Sequence, residues 1–159
     1  MKITILAVGK LKEKYLRDGV AEYLKRLATF AKIECIEIAE EKMPDNFSPA
    51  EKEKTLAREG ERLLARVPEG SELIVLDVTG EELSSEELAA RLDDWMVGGV
   101  SHLTFLIGGA FGLSPAVRKT AKLRLSFSRM TFTHQMMRLL LTEQIYRAFK
   151  IMRGEKYHW

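Results

Sequence analysis

Cysteine is almost missing from this 159-residue chain, with Cys35 the only one. A lone cysteine excludes an internal disulfide, and its place in an apolar run reads as a small core residue in a chain suited to a reducing compartment. Histidine is also scarce, at three. There is no H-E-x-x-H, no cysteine cluster and no pair of acids spaced to join a histidine around an ion, so no metal is expected. Long apolar runs are absent. Leu73–Leu76 and Leu103–Ile107 are far too short to span a bilayer, and Met1-Lys2 leads straight into an apolar strand without a cleavage-site pattern. The expected location is the cytoplasm, with no membrane partner. A G-x-S-x-G elbow, a P-loop and a G-x-G-x-x-G turn are all lacking, which leaves serine-nucleophile and phosphate-loop chemistry unsupported. Neither a repeat, a low-complexity stretch nor a linker interrupts the chain, so residues 1–159 read as a single domain.

At 46% hydrophobic and 30% charged residues, the chain has enough apolar material for a core of ordinary size. Ile3–Val8 is an apolar run ended by Gly9 and reads as a buried strand. Leu16, Val20, Tyr23, Leu24 and Leu27 then recur at helical spacing, predicting a helix over 12–30. Ile33–Ala39 is a second strand. Ser48-Pro49-Ala50-Glu51 joins a capping box to a proline at the first helical position, opening a helix that stops at Pro68. Glu72–Asp77 is a third strand followed by a Thr79-Gly80 turn. Ser84 to Glu87 is a second capping box, and its helix closes at Gly98-Gly99. His102–Ile107, a short helix capped by Ser114-Pro115, Leu123–Phe127 and a long helix from His134 to Met152 complete the order. Apolar strands alternating with helices imply an α/β fold, a mostly parallel sheet with helices on both faces.

In such sheets ligands bind beyond the carboxyl ends of the strands. Three loops qualify: Leu76 to Gly80, Gly108 to Leu113, and Phe127 to Thr133. The Gly108-Gly109 pair fits either close backbone approach to a ligand or a turn needing positive φ. Phe127-Ser128-Arg129-Met130-Thr131-Phe132-Thr133 is too apolar for an ordinary surface loop. It fits an inward-packed connection or the wall of an apolar pocket.

Charge is unevenly spread. Residues 114–159 hold ten of the 25 Lys and Arg but only two of the 23 acids, giving +8, against −6 for the rest. A basic face for an anionic partner explains this, and so does a basic segment docked on the acidic half of its own fold. His102 begins an apolar strand and reads as structural. His134 and Arg138, four apart on the last helix, share a face. The tail from Arg153 to Trp159 gathers two cations, two aromatics and His158, the groups needed for phosphate contact, base stacking and proton transfer.

These residues carry a resemblance. LIVLDVTG at 73–80, FLIGGAFGLS at 105–114, LSFSRMTFTHQMMRLLLTEQIYRAFKIMRGE at 125–155 and the closing Tyr157-His158 resemble the RlmH family, small SPOUT-class methyltransferases that modify a pseudouridine of large-subunit rRNA. The likeness runs from the MKITILAVGK opening to the tail. It implies a C-terminal trefoil knot, a homodimer with the active site at the subunit interface, and the ribosomal large subunit as partner. It also implies S-adenosylmethionine held at Leu76, Gly108, Phe127, Ser128, Arg129, Met130, Thr131 and Phe132. The reaction would place a methyl on N3 of a pseudouridine. His158 or Tyr157 would orient or deprotonate the base, and Arg138 or Arg153 would stabilise negative charge. RNA binding would depend on the basic C-terminal region. The chain departs from the family pattern at Val78, Thr133 and Trp159, where members often carry Arg, Pro and a basic residue. The competing class is a ribosome-associated binding module that uses the same basic face and holds no cofactor.

Overall fold

The computed structural model describes residues 1–157. Five strands and five helices alternate: β1 (Lys2–Val8), α1 (Lys14–Leu27), β2 (Lys32–Ile38), α2 (Pro49–Arg66), β3 (Glu72–Glu82), α3 (Ser85–Val97), β4 (His102–Ile107), α4 (Pro115–Thr120), β5 (Leu123–Ser126) and α5 (His134–Met152). The strands form one sheet in the order β2-β1-β4-β3-β5, every neighbouring pair parallel.

Period-two alternation sends successive side chains to opposite faces, and each face has its own core. Ile3, Ile5, Ile74, Leu103, Phe105 and Leu125 meet Leu88 and Leu92 of α3 and Leu141 and Ile145 of α5 on one side. Leu6, Val8, Leu73, Val75 and Leu106 meet Leu63 of α2 and Val117 of α4 on the other. The helices start where capping chemistry places them. Ser84 and Glu87 form a reciprocal capping box, while Ser48, Ser114 and Thr133 each accept a backbone N–H from the first turn.

Four details differ from the sequence reading. β3 does not turn at Thr79-Gly80 but runs on to Glu82, re-pairing with β5 after a register shift between Leu76 and Glu81. Such a bulge bends one strand while the ladder continues. The first helix is shorter at both ends than 12–30, and β5 stops at Ser126. Cys35 is exposed, not a core residue, because β2 is an edge strand with little packed over it. His102 sits at the amino end of β4, bonded to Thr4 Oγ1 at 2.8 Å, away from the carboxyl ends where the loops gather.

Candidate active site

The carboxyl ends of β1, β3, β4 and β5 point the same way, so the loops that follow them converge. Between them lies a crevice of 880 Å³, lined by all three loops singled out from the sequence. That size suits a nucleoside-sized ligand. Leu76, Gly108, Phe127, Ser128, Met130, Thr131 and Phe132 all line it. Arg129 stands in the same loop but is exposed and is not part of the lining.

The loop after β4 is built on close approach. Neither Gly108 nor Gly109 has positive φ, so the turn reading of that pair does not hold; Gly112, at φ 91°, makes the turn instead. A Cβ on Gly108 would stand 2.7 Å from Leu113 Cδ2 and 3.0 Å from the Gly112 carbonyl oxygen. Behind the loop, buried Glu59 of α2 accepts the backbone N–H groups of Glu41 and Gly109. Burial pushes its carboxyl above the ordinary carboxylate range, and these two donors only partly oppose the rise.

The wall at the register shift within β3 is held by Asp77, which is 8% exposed. Thr79 donates to it through N–H at 3.1 Å and hydroxyl at 2.9 Å. Arg124 of β5 donates at 3.0 Å, and Arg118 of α4 lies 3.0 Å away. Burial alone would raise the Asp77 carboxyl, but the Thr79 and Arg124 hydrogen bonds with the Arg118 charge hold it below its ordinary value. The folded value therefore lies below the unfolded one of about 3.9. Its contribution to stability is complete above that pH and is lost as pH falls through the folded value. Asp77→Asn leaves two arginines without their shared carboxylate, and we expect a loss of about 2 kcal/mol at pH 7, or about 4–8 °C in Tm. Thermal melts from pH 7 to pH 3 check this. The gap between wild type and variant narrows toward acid, and a gap independent of pH contradicts the assignment.

Helices supply the rest of the crevice. Glu13, Tyr15 and Leu16 come from the start of α1, and His134, Gln135 and Met137 from the start of α5. None was singled out from the sequence as lining. The sequence marks His134 only as sharing a face with Arg138, and nothing local marks Tyr15. His134 Nε2 lies 3.3 Å from Glu40.

Of the four residues expected to do chemistry, Arg138, Arg153 and Tyr157 do not line the crevice. Arg138 is 6% exposed, paired with Glu37 and donating to the Gly9 carbonyl, and does not line the crevice. Arg153 lies over the Phe30 ring, 4.4 Å from its centroid, at the far end of α5. The Tyr157 hydroxyl donates to Glu143 at 2.9 Å, and its ring packs edge-on against Tyr146. Burial first, then the bonds to Tyr23 and Glu143, push the Tyr157 phenol far above its ordinary range. His158 lies outside the described residues.

Much of the C-terminal positive charge is used within the fold. Arg118 and Arg124 pair with Asp77, Lys122 with Glu72 and Arg138 with Glu37, all acids of the first 113 residues. Arg147 pairs with Glu143, and Lys150 with Glu155. Among the described residues no group of three or more His, Cys, Asp or Glu is placed to hold a metal ion. No helix among them is long and apolar enough to cross a membrane.

Comparison with known proteins agrees with this architecture. The family model described as "Predicted SPOUT methyltransferase" matches residues 1–158. The "Ribosomal RNA large subunit methyltransferase H" of Carboxydothermus hydrogenoformans is 56% identical over 158 residues, 99% of each chain. The proteins of the same name from Pelotomaculum thermopropionicum and Acetivibrio thermocellus are 56% and 51% identical, each across 99% of this chain and 98% and 99% of theirs. A solved "probable methylase family protein from Haemophilus influenzae Rd KW20" shares the fold, with a TM-score of 0.52 at 11% identity over 99% of this chain and 70% of that one. The chain belongs to the SPOUT methyltransferase family, in its RlmH branch.

Proposed function

We propose that this protein methylates N3 of a pseudouridine in large-subunit rRNA, with S-adenosylmethionine as methyl donor, and that it does so as a homodimer in the cytoplasm. The observation that carries the reading is the crevice at the carboxyl ends of β3, β4 and β5, in a chain 56% identical to a named rRNA methyltransferase. Its apolar walls at Leu76, Ile107 and Phe127 suit an adenine ring, and its loops at 108–112 and 127–133 offer backbone groups for polar contacts. When bound, the donor supplies an electrophilic methyl on a positive sulfur that departs as a neutral thioether.

The protein's own task is then to hold the RNA base in line and help the weakly acidic N3 proton leave. His158 is the base we assign to that step. In the position described, Tyr157 keeps its proton, which suits orientation and not proton abstraction. Geometry also favours a second copy. α5 starts at the crevice with His134, and Tyr157 packs beside Glu143 and Tyr146. Those positions are nine to twelve residues along the helix, about 13–18 Å from its start. Tyr157 seated there does not line its own crevice, which leaves room for a partner's tail to complete the site. We further propose that the 159 residues form one domain, and that its C-terminal part carries the trefoil knot of the family, which the relatives' full-length identity supports. A binding module without a methyl donor leaves the crevice and the relatives' names unexplained.

The test is transfer of labelled methyl from S-adenosylmethionine to ribosomes lacking the modification, with deproteinised rRNA run in parallel and the product nucleoside identified. We expect label on N3 of a pseudouridine, with the assembled particle the better substrate. Folded protein that labels neither contradicts the reading.

A further inference from the structure

A methyltransferase for RNA must meet phosphates around the crevice mouth, since backbone charge dominates nucleic-acid affinity. The basic C-terminal segment is the obvious source, but the structure commits most of it elsewhere. Six of its cations are paired with carboxylates, and Arg153 lies over Phe30 at the far end of α5. Of its remaining cations, Arg129 is the one on a loop that walls the crevice, and it is exposed.

The loop between β1 and α1 also reaches the crevice, through Glu13 and the bond of Lys12 to Gln135. Lys10 and Lys12 are exposed there, and neither carries an ion pair among the described residues. The loop is braced in two directions. Arg17 donates to the Lys12 carbonyl at 2.8 Å and the Leu11 carbonyl at 3.4 Å. The Lys12 backbone N–H donates to Gln135 Oε1 at 3.0 Å, and Gln135 itself lines the crevice. The backbone that carries the lysines is thus fixed to the crevice wall, which limits the ordering required when a ligand arrives. Two carboxylates stand near: Glu13 on the same loop, also lining the crevice, and Glu40, which faces His134. Lys14 is occupied by Asp18.

We propose that Lys10 and Lys12, together with Arg129, form the phosphate-contacting rim that seats RNA over the crevice. This rests on the RNA-methylating reading above and moves the principal RNA contact from the C-terminal segment to the β1–α1 loop. Neither lysine takes part in holding the methyl donor or in proton transfer.

The experiment compares wild type with K10A/K12A and with a charge-matched control, K25A/K32A. Lys25 lies in the last turn of α1 and Lys32 opens β2, both at the opposite end of the sheet. Apparent KM for ribosomes, the salt dependence of ribosome binding, and affinity for S-adenosylhomocysteine are measured for all three. For K10A/K12A we expect KM to rise about tenfold near physiological salt, with turnover at saturation within about twofold of wild type. The slope of log affinity against log salt should shrink by about 1.4–1.8, the share of two phosphate contacts. S-Adenosylhomocysteine affinity stays unchanged, and K25A/K32A behaves as wild type. Wild-type methylation of ribosomes with an unaltered slope and KM in K10A/K12A overturns the rim alone. An equal effect in K25A/K32A overturns it too, by showing a general charge effect. Wild-type protein that binds neither ribosomes nor rRNA overturns the rim and the RNA reading together.

Discussion

Replacing His158 by alanine lowers methyl transfer about 10²–10⁴-fold while leaving S-adenosylhomocysteine affinity within about twofold of wild type. The size follows from removing a general base from a reaction whose leaving group needs no proton. The separation of the two readouts follows from the placement of the donor site. The crevice is walled by residues 76–79, 107–113, 118, 125, 127–128, 130–135 and 137, with Glu13, Tyr15 and Leu16, and Arg153 to Tyr157 are not among them. Asp77 at the crevice and Tyr157 in the tail are poorly suited to the task. Asp77 is held ionised and shared between Arg118 and Arg124. Tyr157, where the tail packs on Tyr146, holds its proton more tightly than a free phenol. His134 is a competitor, since it lines the crevice and faces Glu40. Single-turnover rates on ribosomes for His158→Ala and His134→Ala separate the two. Unaltered turnover in the first with a large loss in the second moves the base to His134. Mixing His158→Ala with a crevice-blocked variant probes the dimer. Recovered activity is expected when one chain's tail serves the other's crevice, and none when each tail serves its own.

Gly80→Ala is expected to cost about 3 kcal/mol, a fall of about 6–12 °C in Tm, and to weaken donor binding as well. Gly80 lies in the stretch where β3 slips its register against β5. A Cβ there would stand 2.5 Å from the Arg124 carbonyl oxygen and 2.6 Å from its carbonyl carbon. These are backbone atoms of the neighbouring strand, so no side chain can swing aside; the strands themselves must part. Asp77 and Thr79 precede the glycine, and their bonds to Arg124 cross the same gap. Separation therefore disturbs the crevice wall together with the sheet edge. Thermal melts with and without S-adenosylhomocysteine report both effects. A variant with wild-type Tm contradicts the close approach.

Features written in neighbouring residues were legible from the sequence. The Ser84–Glu87 box and Ser114-Pro115 mark helix starts through bonds made within one turn, and those starts are where they were expected. The crevice loops were legible because a parallel sheet sends every strand's carboxyl end to one edge. What failed depended on partners distant in the chain. The apolar run around Cys35 reads as buried, and only the strand order shows β2 to be an edge with Cys35 exposed. The continuation of β3 past Gly80 depends on β5, more than forty residues on. Arg138 looked free for chemistry on the face it shares with His134, but β2 and the β1 end lie against that side of α5 and supply Glu37 and the Gly9 carbonyl. The charge asymmetry was real, yet its division between internal pairing and free surface could be seen only once the acids were placed.

Calorimetric titration with S-adenosylhomocysteine, on wild type and on Thr131→Trp, tests the donor crevice most directly. Thr131 is exposed and lines the crevice, so an indole there obstructs the space at little cost to folding. The expected result is one site per chain in the wild type and at least about tenfold weaker binding in a variant of unchanged Tm. Absence of binding to folded wild type, or equal affinity in the blocked variant, would contradict the placement of the methyl donor between β3, β4 and β5.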